Sequence, residues 1–149
     1  GYYINRRDVL LLSDDLLEAL DRRIATQVHD YLIPASEMVG LAADIVEDPS
    51  FGMDNRSEVE ALAIQILRTY PQLTTFSIAN TKGDFTMLKK KSDGSIDTKN
   101  IEHSEAGRRV SWTRRDQQGK IVKVEESVDD AYDPRVRPWY IGAVKDKGL

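Results

Sequence analysis

Apolar residues recur every seven positions through the first third of the chain, at Leu17, Ile24, Tyr31, Met38 and Ile45, with Val28, Ala35 and Ala42 between them. A parallel stripe of Leu32, Val39 and Val46 widens this face beyond a coiled-coil seam. Asp21 interrupts the second series, and Leu20 beside it partly substitutes. The period predicts one long helix from about Arg6 to Glu47. At about 1.5 Å per residue it would run roughly 60 Å, more than a domain of this size needs for its core. Part of it is expected to project as a stalk or to pair with another chain. Pro34 lacks the N–H that would bond to the Asp30 carbonyl, so a kink is expected there. Two helices meeting at Pro34 are the alternative; the heptad continues in phase across the proline and favours one.

The pattern breaks at "EDPSFGMDNRSEVE", and Ser57 with Glu60 three residues later has the form of a capping box. It would open a second helix carrying Val59, Leu62, Ala63, Ile66 and Leu67 on one face and ending before Pro71. Beyond Pro71 the period changes to two. "LTTFSIAN", the turn "NTKGD" and "FTMLKKK" predict a hairpin, as do "RVSWTRRD", Gln117-Gln118-Gly119 and "KIVKVEES". Between them "SDGSIDTKNIEHSEAG" is polar and poorly periodic, and reads as a long loop with one short strand around Ile96. Pro138 to about Lys145 suits a short helix with proline in its first turn. Hairpins with helices to one side define an α+β domain.

Composition narrows the function. With 149 residues, 40% hydrophobic and 31% charged, the chain is an ordinary globular domain. A net charge of −4 argues against nucleic acid as partner, since a phosphate-binding surface needs a basic stripe. The run Lys89-Lys90-Lys91 has no interleaved aromatic residue and reads as a solvated strand end. There is no cysteine, which excludes disulfides and thiolate metal sites. No stretch approaches the ~18 apolar residues that span a bilayer, so any membrane anchor is expected outside the chain. Gly1 in place of an initiating Met suggests a segment of something longer.

Catalytic chemistry finds little support. The two histidines, His29 and His103, lack ligand-like spacing, and no metal site or cofactor is expected. His103 adjoins Ser104, but sequence neighbours rarely form a nucleophile–base pair. Asp129-Asp130 reads as solvated carboxylates or as partners for Arg135 and Arg137. Gly83 and Gly119 fall in hairpin turns, where positive φ explains them. The expectation is a protein that is not an enzyme.

"YDPRVRPWY", Tyr132 to Tyr140, concentrates two arginines, two prolines, a tryptophan and two tyrosines. The prolines stiffen the segment and hold Asp133 and Arg137, the residues before them, extended. Arg137 offers a planar fork suited to a carboxylate, and Trp139 and Tyr140 offer aromatic walls. One anion anchor among aromatic walls describes a small-molecule site. Equally, Trp139 could plug the core while Arg137 pairs with Asp129, Asp130 or Asp133. The residues alone leave both readings open.

"YDPRVRPWYIGA", after a hairpin and a very long N-terminal helix, resembles the membrane-distal module of the double Cache family. These are PAS-like extracytoplasmic sensor domains of bacterial chemoreceptors, histidine kinases and nucleotide cyclases. "RVRPWYIGA" with "KGL" after it is more weakly similar to the sensors of transmembrane adenylate/guanylate cyclases. The resemblance covers most of the chain in element order and is specific only from Tyr132 to Ala143. It implies ligand-binding roles for Tyr132, Arg137, Trp139 and Tyr140 at the carboxylate end of an amino acid or organic acid. The family's further aspartate, which receives the ligand's amino group, follows this motif and would lie beyond Leu149. The implied fold is α+β, a long kinked N-terminal helix followed by a PAS-like antiparallel sheet, incomplete, with flanking helices. Residues 1–48 would form a stalk or dimerisation helix, and 49–149 the membrane-distal module, truncated at its C-terminal side. The implied function is ligand sensing in the periplasmic domain of an inner-membrane receptor, a homodimer through its N-terminal helix. Without a small-molecule ligand the chain would be a helical dimerisation module, and a cytoplasmic PAS-type interaction domain is a third possibility.

Overall fold

Six strands, each antiparallel to its neighbours and lying in chain order, form a single sheet: β1 (Tyr2–Ile4), β2 (Thr75–Asn80), β3 (Phe85–Lys90), β4 (Ile96–Ser104), β5 (Gly107–Arg115) and β6 (Ile121–Ser127). The computed structural model describes residues 2–6, 18–48, 56–128 and 130–146. Among the described residues, the helices with defined bounds that accompany the sheet are α1 (Arg22–Glu47), α2 (Arg56–Thr69) and α3 (Pro138–Asp146). The class is α+β.

Because successive side chains in a strand point to opposite faces, each strand serves two cores. On one face Ile4, Phe76, Ile78, Leu88 and Ile96 pack against Ala35, Val39, Ala42, Ala43 and Val46 of α1 and Val59, Ala63, Ile66 and Leu67 of α2. On the other, Ala79, Phe85, Ile101 and Val110 pack against Trp139 and Tyr140 of α3.

The N-terminal helix is shorter than its heptads predict. Glu18 is helical, but Ala19 to Asp21 leave helical geometry, and Asp21 is extended at φ −66° and ψ 160°. Its carboxylate caps the N–H groups of Arg23 and Ile24, so α1 begins at Arg22. A helix continuous from Arg6 to Glu47 is therefore corrected to one of 26 residues, about 39 Å long. The two expectations for Leu17 and for residues 7–17 lie outside the described residues. The helix runs unbroken through Pro34. Ahead of it, Tyr2–Ile4 form the edge strand instead of leading into helix, and the Ile4 N–H donates to Glu47 Oε1 at 3.0 Å in a buried contact.

The second correction concerns β4. The segment read as a long loop with one short strand around Ile96 holds, from Ile96 onward, a nine-residue strand pairing along its whole length with β5, in register from Ile96–Arg115 to Ser104–Gly107. Its helix-facing positions Thr98 and Asn100 are polar yet buried. Thr86 Oγ1 donates to Asn100 Oδ1 at 2.8 Å, and Arg115 Nη1 donates to Thr98 Oγ1 at 2.8 Å. Partnered in this way, they cost little to bury and show no apolar alternation.

Nor is the lysine run merely solvated. Lys90 Nζ donates to the Leu67 and Tyr70 carbonyls at 2.6 and 3.2 Å, capping the C-terminal end of α2 where cations are favoured. Burial lowers its pKa from the ordinary value. Lys91 pairs with the buried Asp97 at 3.0 Å. Ser57 and Glu60 both lie in the first turns of α2, and Glu60 Oε1 meets Arg115 Nη2 at 3.0 Å.

Candidate functional site

Strand register builds the floor of the site. Ser77 opposes Met87, Met87 opposes Lys99, and Lys99 opposes Trp112, which makes one row across β2 to β5 on the α3 side. One step along the strands, Ala79, Phe85, Ile101 and Val110 make a parallel apolar row. The apolar row is covered by Trp139 and Tyr140. Over the first, mixed row the chain leaves a cleft of about 720 Å³, lined also by Asn5, Thr75, Phe85, Tyr132, Arg137, Pro138 and Trp139.

The segment over this floor is held by cations from the sheet. Arg108 donates from Nη1 to the Asp130 carbonyl and from Nη2 to the Tyr132 carbonyl, the latter at 2.6 Å. Lys99 Nζ reaches Asp130 Oδ2 at 2.5 Å, while Asp130 Oδ1 accepts the Tyr132 N–H at 2.9 Å. The Lys99 ammonium holds the Asp130 carboxyl below its ordinary value, with the Tyr132 N–H and the Arg108 charge adding to the effect against partial burial.

Both residues before proline are extended: Asp133 at φ −124° and ψ 114°, Arg137 at φ −84° and ψ 143°. The Arg137 carbonyl accepts the Tyr140 and Ile141 N–H groups at 3.1 Å each, and with Pro138 in the first turn it starts α3. This sets the Arg137 side chain at the mouth of the cleft, with Cζ 4.6 Å from the centre of the Tyr132 ring, a cation–π contact.

The two arginines divide their roles. Arg135 forks onto Asp133, Nε to Oδ1 and Nη2 to Oδ2, both at 3.0 Å. This hydrogen bond lowers the Asp133 pKa and raises that of Arg135. Arg135 also lies against Gly83, whose φ of +87° the β2–β3 turn requires and where a Cβ would stand 3.0 Å from the guanidinium carbon. Arg137 is exposed and its guanidinium has no hydrogen bond or ion pair among the described residues. Asp130 is held by Lys99, and Asp129 lies outside the described residues.

Of the four residues the sequence singles out, three line the cleft: Tyr132, Arg137 and Trp139. Trp139 is at once a wall and a core residue, 8% exposed and 6.5 Å from Phe85 between ring centres. Tyr140 is not a wall. It turns away to meet Tyr3 edge-on at 5.4 Å, and burial raises its phenol above the ordinary value, with the Tyr3 contribution adding to it. The residues that sequence reasoning missed are Lys99 and Trp112. Lys99 sits on the strand read as loop, and its Nζ lies 5.1 Å from the Tyr132 ring centre and 6.0 Å from that of Trp112. The signal was the alternation of Asp97, Lys99 and Ile101 against Ile96, Thr98 and Asn100, polar on both faces and therefore silent to hydrophobic period.

A smaller cavity of about 430 Å³ adjoins the far side of the same segment, lined by Gly83, His103, Arg108 and residues 130–133 with Arg135. There Asp84 Oδ1 accepts the His103 backbone N–H at 2.8 Å and faces its Nδ1 at 3.1 Å. Burial works to raise the Asp84 pKa, but hydrogen bonds from Asn80 and His103 outweigh it and the net shift is downward. Ser104 is not aligned with His103: its hydroxyl serves the β4–β5 turn, accepting from the Ala106 N–H at 3.3 Å. Among the described residues no group of three His, Asp or Glu side chains could hold a metal ion.

No protein-family model matches the chain, and no curated protein or solved structure matches it.

Proposed function

We propose that the chain is the ligand-sensing domain of a bacterial transmembrane receptor, of the double Cache kind. It would bind a small carboxylate-bearing molecule, an amino acid or an organic acid, in the extracytoplasmic space and signal through its N-terminal helix. This reading takes its family likeness from Tyr132–Ala143 and the long helix, not from the strand order. One observation carries it: the Arg137 fork stands over Tyr132 at the mouth of a cleft without a carboxylate partner among the described residues, while Arg135, two positions away, is fully engaged by Asp133. An unsatisfied planar cation beside a partly apolar cleft is a receptor for an anion. No helix among the described residues is long and apolar enough to cross a membrane, so in this reading the anchor belongs to another part of the receptor.

The test is calorimetric titration of the chain with amino and organic acids. Against any acid that binds, Arg137→Ala is expected to weaken binding about tenfold or more, since a charge-assisted contact is worth roughly 1.5–3 kcal/mol. Arg135→Ala is expected to leave affinity within about twofold. The reverse ranking, with both variants folded, sinks the assignment.

A second reading, a helical dimerisation module without a ligand, is favoured by Ile24 and Tyr31 of α1, which are 45% and 56% exposed. In the first reading the same surface serves a homodimer. Sedimentation distinguishes the two only in combination with the titration, because a ligand-silent dimer supports the module alone.

A further inference from the structure

Within that reading, we infer that the preferred ligand carries one carboxylate on an aromatic or bulky apolar body, and that Trp112 selects that body. Charge at the cleft provides for a single acid group. The described lining contains two cations, Lys99 and Arg137. The Lys99 ammonium is already paired with the Asp130 carboxylate at 2.5 Å, and the two form a unit of no net charge. A second carboxylate brought to Lys99 would meet Asp130 as well, so attraction and repulsion largely cancel there. Arg137 is left as the anchor for one carboxylate.

The rest of the lining is mainly aromatic and aliphatic, and most of it also serves the fold. Phe85 lies 4.7 Å from Tyr132 and 6.5 Å from Trp139 between ring centres, and Met87 packs against the same cluster. Trp112 differs. It belongs to neither hydrophobic cluster, it pairs with no aromatic ring among the described residues, and it is only partly buried. Two cations attend it instead: Arg114 Cζ lies 4.6 Å from its ring centre and Lys99 Nζ 6.0 Å. Arg114 is in turn held by Asp97 at 2.8 Å, so the indole rests on a fixed neighbour. An apolar surface is thus positioned at the cleft without being consumed by the core. Lys99 Nζ is also 5.1 Å from the Tyr132 ring centre, which places both rings around one compartment. A ligand anchored on Arg137 beside Tyr132 has Trp112 within reach of its body. An aryl group there displaces water from the indole, whereas a charged group would lose hydration against it.

The experiment titrates the chain with three acids that share a propionate unit and differ at its far carbon. Hydrocinnamate carries phenyl there, succinate a carboxylate, and propionate only hydrogen. Hydrocinnamate is expected to bind at least about tenfold tighter than either of the others. Trp112→Ala is expected to bring the hydrocinnamate-to-succinate ratio to within about threefold by weakening hydrocinnamate, and Trp112→Phe to retain most of the preference. A second readout follows contact directly. Hydrocinnamate is expected to shift the tryptophan emission of the wild-type chain, and to shift it less in Trp112→Phe, which keeps only Trp139. Succinate binding as tightly as hydrocinnamate, or a ratio unchanged in Trp112→Ala, overturns the inference while the carboxylate reading stands. Binding of other amino or organic acids without hydrocinnamate does the same. Binding of no acid at all overturns the carboxylate reading itself, and this inference with it.

Discussion

The two faces of the sheet draw on the same strands, in alternating positions, and are built for different ends. The helix-covered face is closed and largely aliphatic: Leu88 and Ile78 are wholly buried, and its polar side chains Thr86, Asn100 and Thr98 are hydrogen-bonded. The α3-covered face is aromatic and cationic, and it is left open over one row of residues. Packing on the first face is shared among two helices and four strands, so no single side chain is spared. On the second, a short segment is pinned at a few points, chiefly by Arg108 and Lys99, and the space between pins remains as a cleft. A strand can thus stabilise the fold with every second residue and leave the others for binding.

The sharpest contrast uses neighbours in sequence. Leu88→Ala removes a fully buried side chain from the aliphatic face and is expected to cost about 2–5 kcal/mol, read as a fall in the chemical-denaturation midpoint. Met87→Ala, one residue away and at the cleft floor, is expected to cost under about 1.5 kcal/mol and to act on ligand affinity instead. Comparable losses at the two positions would erase the distinction between the faces.

Next in size is the pin. Arg108→Ala removes the donor of the Asp130 and Tyr132 carbonyls, which water can partly replace, and is expected to destabilise by about 0.5–1.5 kcal/mol. Amide exchange should rise selectively from Ala131 to Tyr140, with the β2–β3 core unchanged; uniform acceleration would mean that the segment is not a separate unit.

A smaller effect is expected in acid. Asp130, Asp133 and Asp84 all have pKa values lowered from the ordinary 3.8 by partners gained on folding. Their contribution is therefore complete above about pH 4 and is lost as pH falls through the lowered values. Asp130→Asn should flatten the fall in melting temperature below that pH, whereas Glu37→Gln, on the exposed side of α1, should not. An unchanged acid limb in Asp130→Asn would show that its pairing adds nothing.

The smallest effect on folding is expected at the exposed start of α1. Ile24→Lys with Tyr31→Lys should change stability by no more than about 0.5 kcal/mol. If this surface pairs two chains, sedimentation should shift from dimer to monomer in the double variant. A wild-type monomer at high micromolar concentration removes the basis for helix-mediated pairing.

Much of this architecture follows from local pattern alone. The alternation of Thr74, Phe76 and Ile78, the turns at Gly83 and Gly119, and proline before Trp139 each act within a few residues, and the two hairpins and α3 stand where that pattern places them. The extended backbone at Asp133 and Arg137 follows likewise from the ring of the next residue. The buried stripe of Ala35, Val39, Ala42 and Val46 keeps the helical period because one side of α1 meets a sheet. What the chain's local pattern could not decide is whatever depends on a partner distant in sequence. β4 is a strand because β3 and β5 flank it and because Thr86 and Arg115 satisfy its buried polar groups. Tyr140 is structural because Tyr3, an edge-strand residue 137 positions earlier, receives it. Arg135 and Arg137 are chemically identical, and only the placing of Asp133 against one and the Tyr132 ring beneath the other separates an internal ion pair from a cation turned toward the cleft.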